Sequence, residues 1–298
     1  MKTNLTKLEF DILVLLEESS SVLSQRKIAN ILDKSVGTIN KGIASLTEFD
    51  YISNGQITNS GISALEPYRV KRAVFLAAGF GSRLVPITLN TPKPLIRVKG
   101  KRIIDTLIDA VLSAGIQEIV IVRGYLAEQF DQLLKKYPMI EFIDNPLYNE
   151  ANNISSAMYA SDLLSRAYVL EADLFLSNPS LIKKYHYSSN FLGIPMERTD
   201  DWCFEVKDGI IKNQKVGGLN CYQEVGISYW SEEDGTKLAE HIKEVFKRPG
   251  GKERYWDQVP LIDFANEYKI AIRECYEEDI VEIDTFRELK AFDKTYDV

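Results

Sequence analysis

An apolar run at Val74–Leu84, VFLAAGFGSRL, breaks into two glycines, a serine and an arginine, and a lysine between two prolines follows in NTPKPL. Glycines after a strand let backbone amides approach phosphate oxygens, and Arg83 and Lys93 supply the positive charge that such a turn needs. A dinucleotide fingerprint requires a third glycine three positions after Gly81, where Leu84 stands. A P-loop requires Gly-Lys-Ser/Thr at the end of a longer loop, and the chain has none there. What remains is a turn in which Gly79, Gly81, Ser82, Arg83 and Lys93 hold phosphates by a third scheme.

Phosphoryl and nucleotidyl transfer need a cation to gather charge on the leaving group, and Mg2+ held by one or two carboxylates suits that task. VLEADLF closes an apolar strand with Asp173, and DIVEIDTFREL places Asp284 between a strand and a helix. Taken singly, each aspartate is equally well read as a turn or helix-cap residue. A second group of residues lies further on: Trp202 and Glu205 in DDWCFEV, Tyr229 and Trp230 in GISYW, and Tyr255, Trp256 and Asp257 in ERYWDQV. Aromatic faces beside carboxylates bind quaternary ammonium groups through cation–π attraction. Each of these aromatics, taken alone, is also an ordinary core residue.

The pieces LAAGFGSRL and NTPKPL together resemble the signature of the nucleotidyltransferases that join an NTP to a phosphorylated acceptor and release pyrophosphate. The resemblance implies that the loop, from Leu76, Ala77 and Ala78 onward, wraps the triphosphate. In it Gly79, Gly81, Ser82 and Arg83 would lie on the β- and γ-phosphates and Lys93 on the α-phosphate. It also implies that Asp173 and Asp284 are the family's two Mg2+-binding aspartates, and that Arg83, Lys93 and Asp173 carry catalysis. NNISS (residues 152–156), VRGYLAEQF and the Tyr-Trp-Asp of ERYWDQV are similar to the choline-phosphate cytidylyltransferase branch. By that resemblance Asn153 and Ser156 contact base or ribose and Gly124 and Tyr125 lie by cytosine. Trp202, Glu205, Tyr229, Tyr255, Trp256 and Asp257 would receive phosphocholine. The implied reaction gives CDP-choline from CTP; other small acceptors such as aminoethylphosphonate, phosphoethanolamine or an inositol phosphate are the alternative. A transferase fold used only as a nucleotide sensor by a transcription factor is a further one.

These residues need an α/β scaffold, and from Ala73 onward strands alternate with helices, as in a doubly wound mixed sheet. AVFLAA, EIVIVRG, EFIDN and AYVLEAD read as strands. RIIDTLIDAVLSAG, LAEQFDQLLKKY and NISSAMYASDLLS read as helices. Residues 1–68 read as a separate domain, with residues 69–298 forming the transferase. Thr6-x-x-Glu9 opens a first helix as a capping box, Ser24 caps a second, and VGTINKGIASL forms a third. Asn54-Gly55 turns a small hairpin, suited to type I′. This order resembles the winged helix-turn-helix domain of bacterial regulators, in which the third helix, here with Thr38, Asn40 and Lys41, enters the major groove of DNA. A dimerisation or regulatory module is the alternative for this segment, so a homodimer is a second expectation.

The 298 residues, 45% apolar and 27% charged, suffice for two domains with sizeable cores. The net charge of −7 does not favour long-range attraction of nucleic acid, so phosphate binding rests on local cations and amides. No run is long and apolar enough to span a membrane, and MKTNLTKLEFD has no signal-peptide layout, so a cytoplasmic protein is expected. Three scattered cysteines and two histidines show neither zinc-ligand nor disulfide spacing.

Overall fold

The computed structural model describes residues 4–296. It divides into two compact units, one formed by the chain up to Arg69 together with Tyr185–Tyr187, the other by Val70–Lys184 and the chain from Ser188 on.

In the first unit, helix α1 (Lys7–Glu18) starts at the capping box read from the sequence, with the Thr6 hydroxyl on the Glu9 amide and the Glu9 carboxylate on the Thr6 amide. Ser24 and Ser35 cap helices α2 (Gln25–Ile31) and α3 (Val36–Glu48). Strands β1 (Ile52–Ser53) and β2 (Gln56–Ile57) pair across Asn54-Gly55. Both turn residues have positive φ, 51° and 75°, as a type I′ turn requires. Helix α4 (Asn59–Leu65) closes the unit. Its core gathers Phe10, Ile12, Leu13, Ile28, Ile39 and Leu46 with Tyr185. The inclusion of residues 185–187 departs from a boundary at residue 68 and has a local cause. Tyr187 stacks on Tyr68 at 5.6 Å and 7°, and its hydroxyl donates to the Leu5 carbonyl at 3.1 Å.

The second unit is built on a mixed seven-stranded sheet. Strand β3 (Arg72–Ala77) is followed by the short pair β4 (Arg97–Val98) and β5 (Lys101–Arg102), then helix α5 (Ile103–Ser113). Strands β6 (Glu118–Arg123) and β7 (Ile140–Asp144), helix α6 (Ile154–Tyr159), strand β8 (Ala167–Glu171) and the short β9 (Leu174–Leu176) come next. The long strands β10 (Asn190–Lys207) and β11 (Ile210–Trp230) form a hairpin, followed by helix α7 (Glu232–Lys247), β12 (Ala271–Glu274), β13 (Ile280–Glu282) and helix α8 (Phe286–Phe292). Strands β8, β3, β6 and β7 run parallel, and β11 joins β8 antiparallel. The parallel strands are buried on both faces, which is why they read as unbroken apolar runs. In β3, Ala73, Phe75 and Ala77 face the α5 side, while Val74 and Leu76 face the core on the α6–α7 side.

Two sequence expectations change. LAEQFDQLLKKY folds as a 3-10 segment, Ala127–Lys135, and not as an α-helix. It enters through Leu126 at φ 50° without a side-chain cap, and its two buried residues, Phe130 and Leu133, stand three apart, the 3-10 period. NISSAMYASDLLS is helical only over Ile154–Tyr159 before a short 3-10 turn. Among the described residues no helix is long and apolar enough to cross a membrane, and all three cysteines are buried and free.

Two aromatics expected to contact an acceptor belong to the core instead. Tyr229, 1% exposed, meets Tyr168 edge-on at 6.0 Å. Trp256, 2% exposed, stacks on Phe191 at 6.0 Å and abuts Trp230 at 6.1 Å. Burial of a large aromatic is worth several kcal/mol, and neither ring offers a free face to a ligand. Trp256→Ala is therefore expected to cost about 3–5 kcal/mol of stability. Chemical denaturation checks this, and an unchanged midpoint with a selective rise in one substrate's KM would restore the binding role.

Candidate active site

The first βα turn carries the glycine loop. Gly81 sits at φ 61°, and a Cβ there would lie 3.0 Å from Lys93 Cβ and 3.1 Å from Thr88 Cγ2, so only glycine fits. Thr88 Oγ1 donates to the Gly81 carbonyl at 2.9 Å and ties the loop to the following turn. A 3-10 turn, Lys93–Leu95, then delivers Lys93, which is 7% exposed.

Lys93 Nζ donates to Asp173 Oδ2 at 2.8 Å and to Asp284 Oδ1 at 2.6 Å, and Arg83 pairs with Asp284 Oδ2 at 2.7 Å. Burial opposes the charge on Lys93, but the two aspartates outweigh it and hold the amine above its ordinary value. The short antiparallel pair β9–β13 brings the aspartates together. Glu282 lies opposite Leu174, and the Ile283 amide reaches the Asp173 carbonyl at 3.5 Å.

Oxygen atoms of Asp173, Glu282 and Asp284 lie within 4.8 Å of one another. Asp173 Oδ1 is buried without a hydrogen-bond partner. An all-oxygen donor set with one orphaned acceptor fits a hard divalent cation. Glu282 was not expected from the sequence. A signal for it was present, since both aspartates are preceded two residues earlier by a glutamate, in Glu171-x-Asp173 and Glu282-x-Asp284. Alternate residues of an extended segment share a face.

A cavity of about 420 Å3 joins these groups; Leu76 through Arg83, Lys93, Asn153, Ser156, Asp173, Tyr255 and Asp284 line it, and so do Asn145, Tyr148, Glu171 and Glu282, which sequence reasoning missed. Phe80, also in the lining, lies 5.1 Å from Tyr125 and 5.3 Å from Tyr148. Gly124 and Tyr125 do not line the cavity themselves. Gly124 is needed because a Cβ would come within 2.6 Å of Tyr148 Cβ, and Tyr125 donates its amide to Ala78 O at 3.1 Å. Both residues pack behind Phe80 and Tyr148, which do line the cavity.

The expected acceptor residues separate. Tyr255 lines the cavity, and Trp202 reaches it only through an edge contact with Tyr255 at 5.9 Å. Glu205 is exposed, and its hydrogen bond from Lys215 holds it below the usual carboxylate range on the hairpin, away from the cavity lining. Asp257 belongs to a different group. Gln214, 3% exposed, donates its Nε2 to Glu224 Oε2 at 2.7 Å and also to Asp257 Oδ2. Gln214 Oε1 is buried without a donor. Glu171, Glu224 and Asp257 form no ion pair with a lysine or arginine among the described residues. Glu171 receives only a 3.4 Å hydrogen bond from Asn153 Nδ2. Enclosure raises all three carboxyls above their ordinary range. Repulsion from Asp173 and Asp257 adds to Glu171, and from Asp257 to Glu224, while Gln214 pulls Glu224 and Asp257 part of the way back.

Residues 72–190 match the nucleotidyl transferase family. The chain is 38% identical over 228 residues to the 2-aminoethylphosphonate cytidylyltransferase of Lancefieldella rimae, covering 75% of this chain and 92% of that protein. It is 30% identical to the choline-phosphate cytidylyltransferase of Streptococcus pneumoniae over 229 residues, 75% of this chain and 97% of the relative. A solved structure of the CTP:phosphocholine cytidylyltransferase of that organism matches with a TM-score of 0.71 at 29% identity, over 76% of this chain and 99% of the other. These similarities define a nucleotidyl-transferring enzyme, and the chain belongs to the nucleotidyl transferase family. Within that family its relatives include cytidylyltransferases for small acceptors.

The crowded carboxylates carry a pH signature. A carboxyl raised above its unfolded value holds its proton longer in the native chain, so stability falls as pH rises from that value, about 4.3 for glutamate. Glu224→Gln is expected to flatten the fall in melting temperature as pH rises above the ordinary glutamate value of about 4.3. Scanning calorimetry across that range checks it; parallel curves for both proteins would remove Glu224 from the cluster.

Proposed function

We propose that the enzyme transfers a cytidylyl group from CTP to a small acceptor with a phosphonate or phosphate at one end and a primary amine at the other. The observation that carries this reading is the distribution of charge. Arg83 and Lys93 supply positive charge at the loop, while Glu171, which lines the cavity, belongs with Glu224 and Asp257 to a group of enclosed carboxyls that forms no ion pair with a lysine or arginine among the described residues. Buried charges are costly unless paired, and a ligand ammonium would complete this group. Tyr229 and Trp256 are core residues, which removes two walls of the aromatic cage expected for phosphocholine. The similarity to an aminoethylphosphonate cytidylyltransferase supports the same acceptor class.

In this reading an acceptor phosphonate oxygen attacks the α-phosphorus of CTP. The new O–P bond forms as the bond to the β-phosphate oxygen breaks, and pyrophosphate leaves. A phosphonate or phosphate dianion is already nucleophilic, so no general base is required. The loop amides, Arg83 and Lys93 align the triphosphate and neutralise it as negative charge shifts to the leaving group. Asp173, Asp284 and Glu282 would hold Mg2+, which when bound supplies further charge neutralisation on the phosphates.

Pyrophosphate release tests the reading with CTP and four acceptors: 2-aminoethylphosphonate, phosphoethanolamine, phosphocholine and an alkyl phosphate lacking nitrogen. The expected order has both primary amines at least about tenfold above phosphocholine in kcat/KM, with the alkyl phosphate poorest. Equal turnover of the alkyl phosphate would overturn the cationic acceptor, and a lead for phosphocholine would replace the amine by a quaternary ammonium. Asp173→Ala is expected to abolish turnover in a folded protein.

For the first unit we propose DNA binding through Thr38, Asn40 and Lys41 of α3. Four exposed cations, Arg26, Lys27, Lys34 and Lys41, lie on the α2–α3 segment with no ion-pair partner among the described residues. Titration of the full chain with its own upstream DNA at several salt concentrations tests this. Lys41→Ala is expected to reduce the salt slope by about one, and binding without salt dependence would overturn it.

A further inference from the structure

Asn145 follows strand β7, is 2% exposed and was not among the residues expected to act. Its Oδ1 accepts the Leu147 amide at 2.9 Å, which fixes the orientation of the side-chain amide. The Nδ2 group therefore faces the NNISS turn. It donates to Ser155 Oγ at 2.9 Å and to Ser156 Oγ at 3.0 Å, using both of its hydrogens. Ser155 passes its own proton to the Asn152 carbonyl at 2.8 Å. Ser156, 3% exposed, lines the cavity, and its hydroxyl proton meets no acceptor among the described residues.

An isolated serine hydroxyl rotates and serves donors and acceptors alike. Asn145 takes one of the two acceptor positions of the Ser156 oxygen and cannot itself receive the O–H, which is left to find its acceptor elsewhere. Were Ser156 to accept a ligand hydrogen instead, its own O–H would stay buried and unsatisfied, which is unfavourable. The two pyrimidines differ at this point of their chemistry: N3 of cytosine carries a lone pair, and N3 of uracil carries a hydrogen.

We propose that Asn145 is a positioning residue that fixes Ser156 as a hydrogen-bond donor to N3 of cytosine, and that this pair selects CTP over UTP. The proposal rests on the cytidylyl-transfer reading, with the base lodged between Tyr148 and the NNISS turn. A donor opposed to a donor is expected to cost UTP on the order of ten- to hundredfold in kcat/KM.

The test is kcat/KM for CTP and UTP with one fixed acceptor, together with calorimetric affinities for both nucleotides. Ser156→Ala is expected to lower the CTP:UTP ratio at least about tenfold, mainly by weakening CTP. Asn145→Asp gives the sharper test. A carboxylate accepts the Ser156 proton, turns the serine lone pairs toward the cavity and is expected to move the ratio further toward UTP. Should that buried carboxylate prevent folding, Ser156→Ala decides alone. Equal losses for CTP and UTP in Ser156→Ala would overturn the proposal and assign the serine a ribose or packing role. A wild-type enzyme that prefers CTP and keeps that preference in Ser156→Ala overturns this proposal only. A wild type without preference for CTP overturns it together with the cytidylyl reading.

Discussion

Lys93 bonds to two aspartates that stand 80 and 191 residues away along the chain, and the geometry of the site follows from that junction. Three separate segments must arrive together: the turn after the glycine loop, the end of β8, and the segment after β13. Each is held by its own local device. Gly81 lets Lys93 pass close to the loop, β8 lies in the buried parallel sheet, and the β9–β13 pair fixes the distance between the two acidic motifs. Removing one partner of a largely buried ion pair typically costs about 3–5 kcal/mol, because the other charge is left uncompensated. The same three charges that shape the loop thus also bind the C-terminal segment to the sheet.

An acidic group that meets the cavity at Glu171 shows the opposite arrangement. Glu171, Glu224 and Asp257 are brought together by β8, β11 and the chain after α7, and their proximity is mutually unfavourable. A fold can tolerate such a cluster because the rest of the unit has two extensive apolar cores, one on each face of the sheet. Gln214 moderates the cluster by giving an N–H to two of the three carboxylates. Clustered like charges in a cleft are an arrangement found where a ligand of opposite charge binds, since the ligand supplies the missing compensation.

Sequence reasoning succeeded where chemistry is encoded in contiguous spacing. The capping box at Thr6 and the Asn54-Gly55 turn depend on neighbours a few residues apart and are found as expected, and the glycine turn and Lys93 follow strand β3 and line one cavity. The burial of two aromatics was not legible in the sequence. Tyr229 and Trp256 sit beside polar and acidic residues in the chain, but successive side chains leave the backbone in different directions, in strand β11 at Tyr229 and in a turn at Trp256, so a neighbour in sequence is not a neighbour in space. Trp256 and Asp257 illustrate this: the ring enters the core between Phe191 and Trp230, and the carboxylate joins Gln214.

The sequence by itself determined the class of chemistry, because a phosphate loop is made of backbone amides and glycine conformations that a short segment carries alone. It also determined the alternation of strands and helices, through apolar runs of strand length and amphipathic stretches. Only the tertiary structure decided which carboxylates share a site. Glu171, Glu224, Asp257 and Glu282 are ordinary acidic residues in the chain and acquire their character from enclosure and mutual repulsion. The polarity of the Ser156 hydroxyl is likewise a tertiary property, since it depends on where Asn145, eleven residues earlier, sends its two hydrogens. Electrostatic interaction and hydrogen-bond direction depend on distance in space, and spacing along the chain does not contain that distance.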